Sequence, residues 1–467
     1  MFAMRGNIFV PIALFGYIPF CFFLFSILPP RKAVIYNFIF AWLFLPMSDL
    51  PLHGLTDYNK MSAACVGVLV GAFVFDVDTI LAFRPSIWDI PMFVFCTCPF
   101  ISSYYNNLGP YDGLSAIAYQ TTSWGLPYFI GRIYFNDLKA LRDLACGIIL
   151  GGLLYVPLVW YEIRMSPQLH RIVYGYTQFD FAQSKRYGGW RPMVFMQHGL
   201  AVSMWMSTAA MTAFWLWWSK AIDRVMGIKM RWVALVLVGT AAATHSVGAI
   251  ALMGIALIVL WLTRVTRLSI WVILLTLGPP TWIFVRTADL WTGRDLVEFL
   301  SQRDPRSAES LAIRLRSERV LADRALEQPI YGWTGWHLYD KNKEAGEHGV
   351  PDQMWIVVFG KNGLIGLISM TVALVMPVLL LAWRIPVRYW SHPGAAPAAA
   401  LGVLLTLHMA DLCFNAMVNP IFILCAGGLT GMTFSLRRSA QQTPTHPNYM
   451  TPALVRPLPM TPGAASA

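Results

Sequence analysis

Long apolar runs, separated by short polar connections, follow one another from residue 8 to residue 436. A helix needs about 20 consecutive apolar residues to cross the hydrocarbon core of a bilayer. On that measure the runs predict spans at 8–28, 33–52, 61–83, 88–105, 113–134, 142–162, 197–219, 231–245, 247–263, 268–287, 354–382, 397–418 and 420–436. Two of them, 88–105 and 113–134, are interrupted by Pro99, Pro127 and several glycines. The pattern predicts an all-α polytopic membrane protein of about 12–13 transmembrane helices. The first run is too long for a cleavable signal peptide and lacks a small-residue cleavage site, so it reads as a retained span.

Composition fits this picture. Hydrophobic residues make up 57% of the 467 and charged residues 13%, so the apolar surface is too large for a soluble fold and the bilayer must be its solvent. Basic residues beside the spans set the orientation. Arg31/Lys32, Arg84, Arg132/Lys139/Arg142, Lys220/Arg224/Lys229/Arg231, Arg264/Arg267, Arg384/Arg388 and Arg437/Arg438 all fall on one side, which reads as cytoplasmic. The chain then divides into ten spans over 1–287 with an outer loop at 163–196, a large outer loop at 288–353, the last spans over 354–436, and a tail at 437–467. The C-terminus falls inside, and the N-terminus outside if all 13 runs cross. The tail is rich in Pro, Thr and Ala and is expected to be disordered.

The net charge of +11 follows largely from this inside bias. No basic soluble module is present, so nucleic acid is not an expected partner. The seven Cys (21, 65, 96, 98, 146, 413 and 425) all lie in apolar runs. Cys96 and Cys98 lack metal-ligand spacing and a nearby His, so they read as small core residues and no metal is expected.

The loop at 288–353 changes the picture. Its 66 residues hold 21 of the chain's 59 Asp, Glu, Lys and Arg residues. A loop that long and that charged, held at the water boundary of a helix bundle, is where a membrane enzyme would place its chemistry. Asp304-Pro305 predicts a helix start, and a helix is expected from about 305 to 328. Ala308, Leu311, Ala312, Leu315, Ala322 and Leu326 recur at helical spacing as one apolar stripe. At 100° per residue Arg319 falls inside that stripe, while Arg316 and Arg324 fall outside it. An arginine on a packing face must find an anion, a carbonyl or a carboxylate. Arg314 flanks the stripe and has Glu318 four residues on, so an ordinary surface pair is also open to it. Beyond Pro329, the segment Ile330-Tyr331-Gly332-Trp333-Thr334-Gly335-Trp336-His337 predicts a turn-rich platform. Trp333 and Trp336 suit either stacking on sugar rings or anchoring at the membrane interface. His337, His348 and Asp352 are the titratable groups near the return to the membrane, each a possible general base or a solvated side chain.

Several of these segments together resemble the O-antigen ligase and polymerase superfamily of bacterial envelope glycosyltransferases. The likeness covers roughly 140–385: Ser-Val-Gly-Ala at 246–249, the long outer loop, Arg314 fifteen residues before Pro-Ile-Tyr-Gly-Trp, then Pro-Asp-Gln-Met-Trp and Gly-Leu-Ile-Gly at 363–366. The resemblance implies a GT-C-like bundle in the inner membrane with one large periplasmic loop. It implies glycan transfer, without a metal or cofactor, from an undecaprenyl-diphosphate-linked donor to a glycan or lipid acceptor at the periplasmic face. Arg314 matches the family's arginine before its Pro-x-x-Gly turn. Val247 stands where the family often has Arg in a Ser-Arg-Gly turn, and Asp352-Gln353 stand where it often has His-Asn. The usual base is therefore replaced, with Asp352 or His348 left to act.

The loop at 163–196 adds Arg186 and Arg191, the latter in Gly-Gly-Trp-Arg-Pro, as contacts for a lipid diphosphate or for lipid headgroups. His408, Asp411, Asn415 and Asn419 are expected on one helix face of the 397–418 span, either flooring the site or bonding a neighbouring helix. In the resulting assignment Arg314, Arg319 and Arg191 hold the diphosphate, Asp352 or His348 deprotonates the acceptor, and Trp333 and Trp336 line the sugar path. A lipid-linked glycan flippase or other transporter would show the same spans and a basic cavity but has less need of a large outer loop. A non-catalytic assembly partner is the third reading, kept open by the replaced family residues.

Overall fold

In hydrocarbon no water is available to the backbone, and a helix satisfies each interior N–H and C=O within one segment. The computed structural model describes residues 6–52, 57–186, 188–335 and 353–442. The N-terminal helices are α1 (Phe9–Ile27), α2 (Pro30–Phe44), α3 (Lys60–Phe75), α4 (Val77–Leu81), α5 (Ile90–Tyr105), α6 (Pro110–Gln120) and α7 (Leu126–Tyr134). The middle of the chain forms α8 (Leu138–Met165), α9 (Leu169–Tyr174), α10 (Gly199–Trp218), α11 (Met230–Ala242), α12 (Val247–Thr266) and α13 (Ile270–Thr287). The charged loop contributes α14 (Arg294–Ser301) and α15 (Pro305–Leu326), and the chain closes with α16 (Met354–Arg384), α17 (Ala396–Leu412) and α18 (Pro420–Gln442). Strand is confined, among the described residues, to two short hairpins: β1 (Lys185–Arg186) with β2 (Gly189–Trp190), and β3 (Arg224–Val225) with β4 (Ile228–Lys229).

The protein is an all-α polytopic membrane protein. Seven described helices are long and apolar enough to cross a bilayer: α1, α5 with its leading turn, α8, α10, α12, α13 and α16. Four apolar stretches, α3, α11, α17 and the Pro420–Thr433 part of α18, are shorter. Large apolar side chains such as Phe9, Phe15, Phe23, Ile258, Trp261 and Phe284 stand exposed along α1, α12 and α13. In water such faces would drive aggregation; in lipid they are the solvent-matched surface. At the centre, α10 and α17 are buried on nearly every face. Their polar residues do not break the core, because Ser203, Thr208, Thr212 and Thr406 each donate to a carbonyl one turn back on the same helix.

Three apolar runs depart from simple spans. The 113–134 run stays helical through its prolines and glycines by way of a five-residue π-helical section, Thr121–Gly125, which Pro127 follows at once. Gly125 there lets α5 approach: a Cβ would lie 2.8 Å from Cys96 Sγ. The 61–83 run breaks at Asp76, where the backbone leaves helical angles between α3 and α4. The 397–418 run stops at Leu412, so the expected polar face through Asn415 and Asn419 does not form on one helix. Asn419 precedes Pro420, which disfavours helix at that position, and its side chain instead accepts the Ile421 N–H at 3.0 Å to cap α18.

Contacts between chain-distant segments gather the helix ends into two groups. Arg31 pairs with Asp137 at 2.6 Å, Arg132 with Asp89 at 3.0 Å, Arg264 donates to the Trp218 carbonyl at 3.2 Å, and Arg384 to the Thr433 carbonyl at 2.7 Å. At the other ends Asn7 meets Tyr174, Tyr174 meets Phe44, Asn106 meets Gly332, and Gln353 meets Arg314.

Candidate functional site

The charged loop is pinned to the bundle by paired charges that apolar periodicity does not register. The cap of α15 forms as the sequence predicts: Asp304 accepts the Ser307 N–H at 3.3 Å, with Pro305 in the first turn. The buried face is the expected one only in part: Ala308, Leu315 and Ala322 are buried, but Arg319 and Leu326 are not. Arg319 points outward and is about half exposed, in a 3.0 Å ion pair with Asp289. Leu326 is exposed as well. The buried side runs through Ala308, Leu315, Glu318, Leu321, Ala322 and Ala325. Glu318 is 1% exposed and pairs with Arg286 of α13, while the Trp355 indole of α16 faces the same carboxylate. Arg286 also donates to the Trp291 and Leu315 carbonyls. A charged residue sits on the packing face because its partner is there to meet it. Arg324, expected outside the stripe, is buried with its guanidinium 3.5 Å above the Trp333 ring and in an ion pair with Glu327.

The Pro329–Trp333 turn is spliced into α16. At Gly363 the backbone leaves helical angles, with φ 64°. Leu364 N–H, which would otherwise bond back to Gly360, donates to the Pro329 carbonyl at 2.7 Å. The Gly360 carbonyl instead accepts the Trp333 N–H at 2.7 Å. Ser102 of α5 donates to the Lys361 carbonyl at 2.7 Å, and Asn106 to the Gly332 carbonyl at 2.9 Å. Backbones touch here: a Cβ on Gly332 would lie 2.6 Å from Gly363 N, and one on Gly363 would lie 2.1 Å from the Ile330 carbonyl. The two glycine motifs that the sequence sets apart are halves of one joint. Trp333 belongs to that joint, with its indole N–H donating to the Arg324 carbonyl at 2.7 Å.

The loop at 163–196 is held by an acid that the sequence pattern does not single out. Glu162, near the end of α8, is 1% exposed. Its carboxylate accepts the backbone N–H groups of Leu169, Met193 and Val194 at 2.9, 2.8 and 2.7 Å. Tyr155 accepts from Phe195 N–H, and Gln178 donates to the Val194 and Met196 carbonyls. An acid closing an apolar span beside a Gly- and Pro-bearing segment was the available signal. The clamp fixes Arg191, whose stem lies over Gly199 where a Cβ would be 2.4 Å away. Arg191 Nη2 donates to the His245 carbonyl at 3.1 Å.

The charges converge on His198. This residue caps α10, its Nδ1 accepting the Leu200 N–H at 3.0 Å, with its ring edge-on to Phe179. Burial first, then the charges of Arg191, Arg314 and Arg186, push its pKa from 6.5 down to about 4. Arginines of the 163–196 and 288–353 loops therefore act on one neutral imidazole. Arg314, half-buried on α15 with its carbonyl held by Gln353 Nε2 at 2.8 Å, also lies within electrostatic range of Asp411. Asp411 accepts from Asn415 Nδ2 at 2.6 Å.

The structure thus brings together Arg186, Arg191, Arg314 and Asp411 of the residues singled out in the sequence, and adds Glu162, His198 and His245. Arg319 and Trp333 stand apart in the roles described above. His408 is buried with its ring on Phe422, and neither ring nitrogen has a hydrogen-bond partner among the described residues. Trp336, His337, His348 and Asp352 lie outside the described residues. Compared with known proteins, the chain matches no family model and no curated protein.

Proposed function

We propose that this chain is a glycosyltransferase of the ligase or polymerase type in the bacterial inner membrane. In this reading 12–13 spans form a GT-C-like bundle, the 288–353 loop is periplasmic and the C-terminus is cytoplasmic. Glycan passes from an undecaprenyl-diphosphate carrier to a glycan or lipid acceptor at the periplasmic face. The carrying observation is that Arg191, Arg314 and Arg186, from two loops far apart in sequence, all act electrostatically on the one buried His198. Guanidinium forks suit a diphosphate, and they meet the charge that grows on it as the glycosyl bond breaks.

The splice of Pro329–Trp333 into α16 supports the same reading. It presents α15, and with it Arg314, from a rigid base instead of a free loop. The grouping of helix ends supports the topology, since residues read as cytoplasmic contact one another and residues read as external do likewise. The test uses membrane vesicles from the producing cells, which hold both donor and acceptor. Wild-type protein should move glycan from the solvent-extractable lipid pool to the acceptor, and a strain without it should accumulate lipid-linked glycan. An unchanged lipid pool in that strain would overturn the proposal; a pool confined to the inner leaflet would favour the flippase reading.

A further inference from the structure

His245 stands at the turn between α11 and α12 with a backbone φ of 54°. Residues other than glycine seldom hold this left-handed region, and where they do the surroundings must keep them there. Two contacts are in place. Arg191 donates to the His245 carbonyl at 3.1 Å. The imidazole Nε2 lies against Gly189, where a Cβ would come within 2.7 Å of it. Gly189 has no positive φ to account for a glycine, so its steric role is to admit the imidazole. Arg186 sits opposite Gly189 across the β1–β2 pair. The imidazole is thus seated on the hairpin that carries Arg186, and the backbone of the same residue is held by Arg191.

The other described histidines are committed elsewhere. His170 is bonded at both ring nitrogens, to Met47 N–H and the Tyr176 carbonyl. His198 caps α10, His392 accepts the Gly394 N–H, and His408 is enclosed beside Phe422. His245 is partly exposed.

We infer that His245 is the catalytic base of the proposed transfer, an assignment that rests on the transferase reading above. The acceptor hydroxyl oxygen attacks the anomeric carbon and forms the new C–O bond. The bond from that carbon to the diphosphate oxygen breaks, and its electron pair stays on the diphosphate beside the arginines. The hydroxyl proton passes to the His245 imidazole and then to water. This assignment places the base at the α11–α12 turn, two residues before Val247.

The test is His245→Asn, because asparagine tolerates left-handed backbone best among non-glycine residues and keeps the carbonyl that Arg191 holds. Purified protein is assayed for binding of sugar-free undecaprenyl diphosphate, and vesicles for transfer. Binding should stay within twofold of wild type while transfer falls about 100-fold or more. Gly189→Ala, which pushes on Nε2 without altering a titratable group, should slow transfer at least about tenfold with binding likewise kept. Transfer by His245→Asn at the wild-type rate would overturn the assignment, as would loss of carrier binding in step with transfer. If wild-type vesicles move no glycan, the transferase reading itself falls.

Discussion

Arg314 and His198 carry the predictions that single side chains can answer. Arg314 projects from α15 with its backbone tied by Gln353, so truncating the side chain leaves its anchorage intact. Arg314→Ala should leave protein level in the membrane near normal and cut transfer about 100-fold, the usual loss when one group that meets developing charge is removed. Lysine should restore little, because it offers a point charge and no fork. Wild-type transfer in Arg314→Ala would remove it from the site; under the proposed reading, in which arginines meet the diphosphate charge, transfer should also persist in EDTA. His198 makes a pH prediction. Its folded pKa of about 4 lies below the ordinary 6.5, so the neutral form stabilises the fold. That contribution is complete above about pH 6.5 and is lost as pH falls through 4, about 3 kcal/mol at most. His170, pushed to about 4 chiefly by burial, adds a loss of the same sign in the same window. Thermal unfolding in detergent should therefore drop to lower temperature between pH 6.5 and 4. The slope should shrink in His198→Gln, and an unchanged slope would place the acid sensitivity elsewhere.

The break in α16 is the element on which the seating of the Pro329–Trp333 turn depends. Gly332 and Gly363 have φ of 73° and 64°, and each would drive a Cβ into the other strand of the joint. Gly363→Ala should lower stability by about 2 kcal/mol or more from backbone strain alone, before the steric conflict with Ile330 is added. The more telling readout is local: limited proteolysis within 288–353 should accelerate while the helix bundle stays protected. Equal protection of loop and bundle would show that the splice does not hold α15. How far such elements were legible in the chain depended on what kind of physics wrote them. The α15 start was readable because Asp304 and Pro305 act within one turn. Its buried face was legible only through Ala308, Leu315 and Ala322, since Glu318 goes inside because Arg286, 32 residues earlier, is there to pair with it. The 397–418 run misled for the converse reason, as hydropathy continues past Leu412 although α17 ends there and Asn419 with Pro420 opens the next helix. Of the site, Arg186, Arg191 and Arg314 could be picked out by charge in outer loops. Glu162 and His245 acquire their meaning only from neighbours distant in sequence.

Across the whole molecule, the arrangement stands or falls on which face of the membrane bears the arginine cluster. Basic residues flanking the apolar runs sort to one side by sequence alone, and contacts such as Arg31 with Asp137, Arg132 with Asp89, and Arg264 with Trp218 are compatible with that sorting. The proposed topology draws these cations toward the cytoplasm and puts α14 and α15 on the far side, where the proposed transfer would take place. Single cysteines test this with little background, because six of the seven native thiols are buried and Cys146 is half-buried. Glu298 on α14 and Met226 in the β3–β4 turn are both exposed. Glu298→Cys should react with a membrane-impermeant maleimide added outside the inner membrane, while Met226→Cys should react only after permeabilisation. The reverse pattern would turn the bundle over, place Arg186, Arg191 and Arg314 in the cytoplasm, and leave the cluster facing nucleotide-sugar chemistry instead of a periplasmic lipid diphosphate.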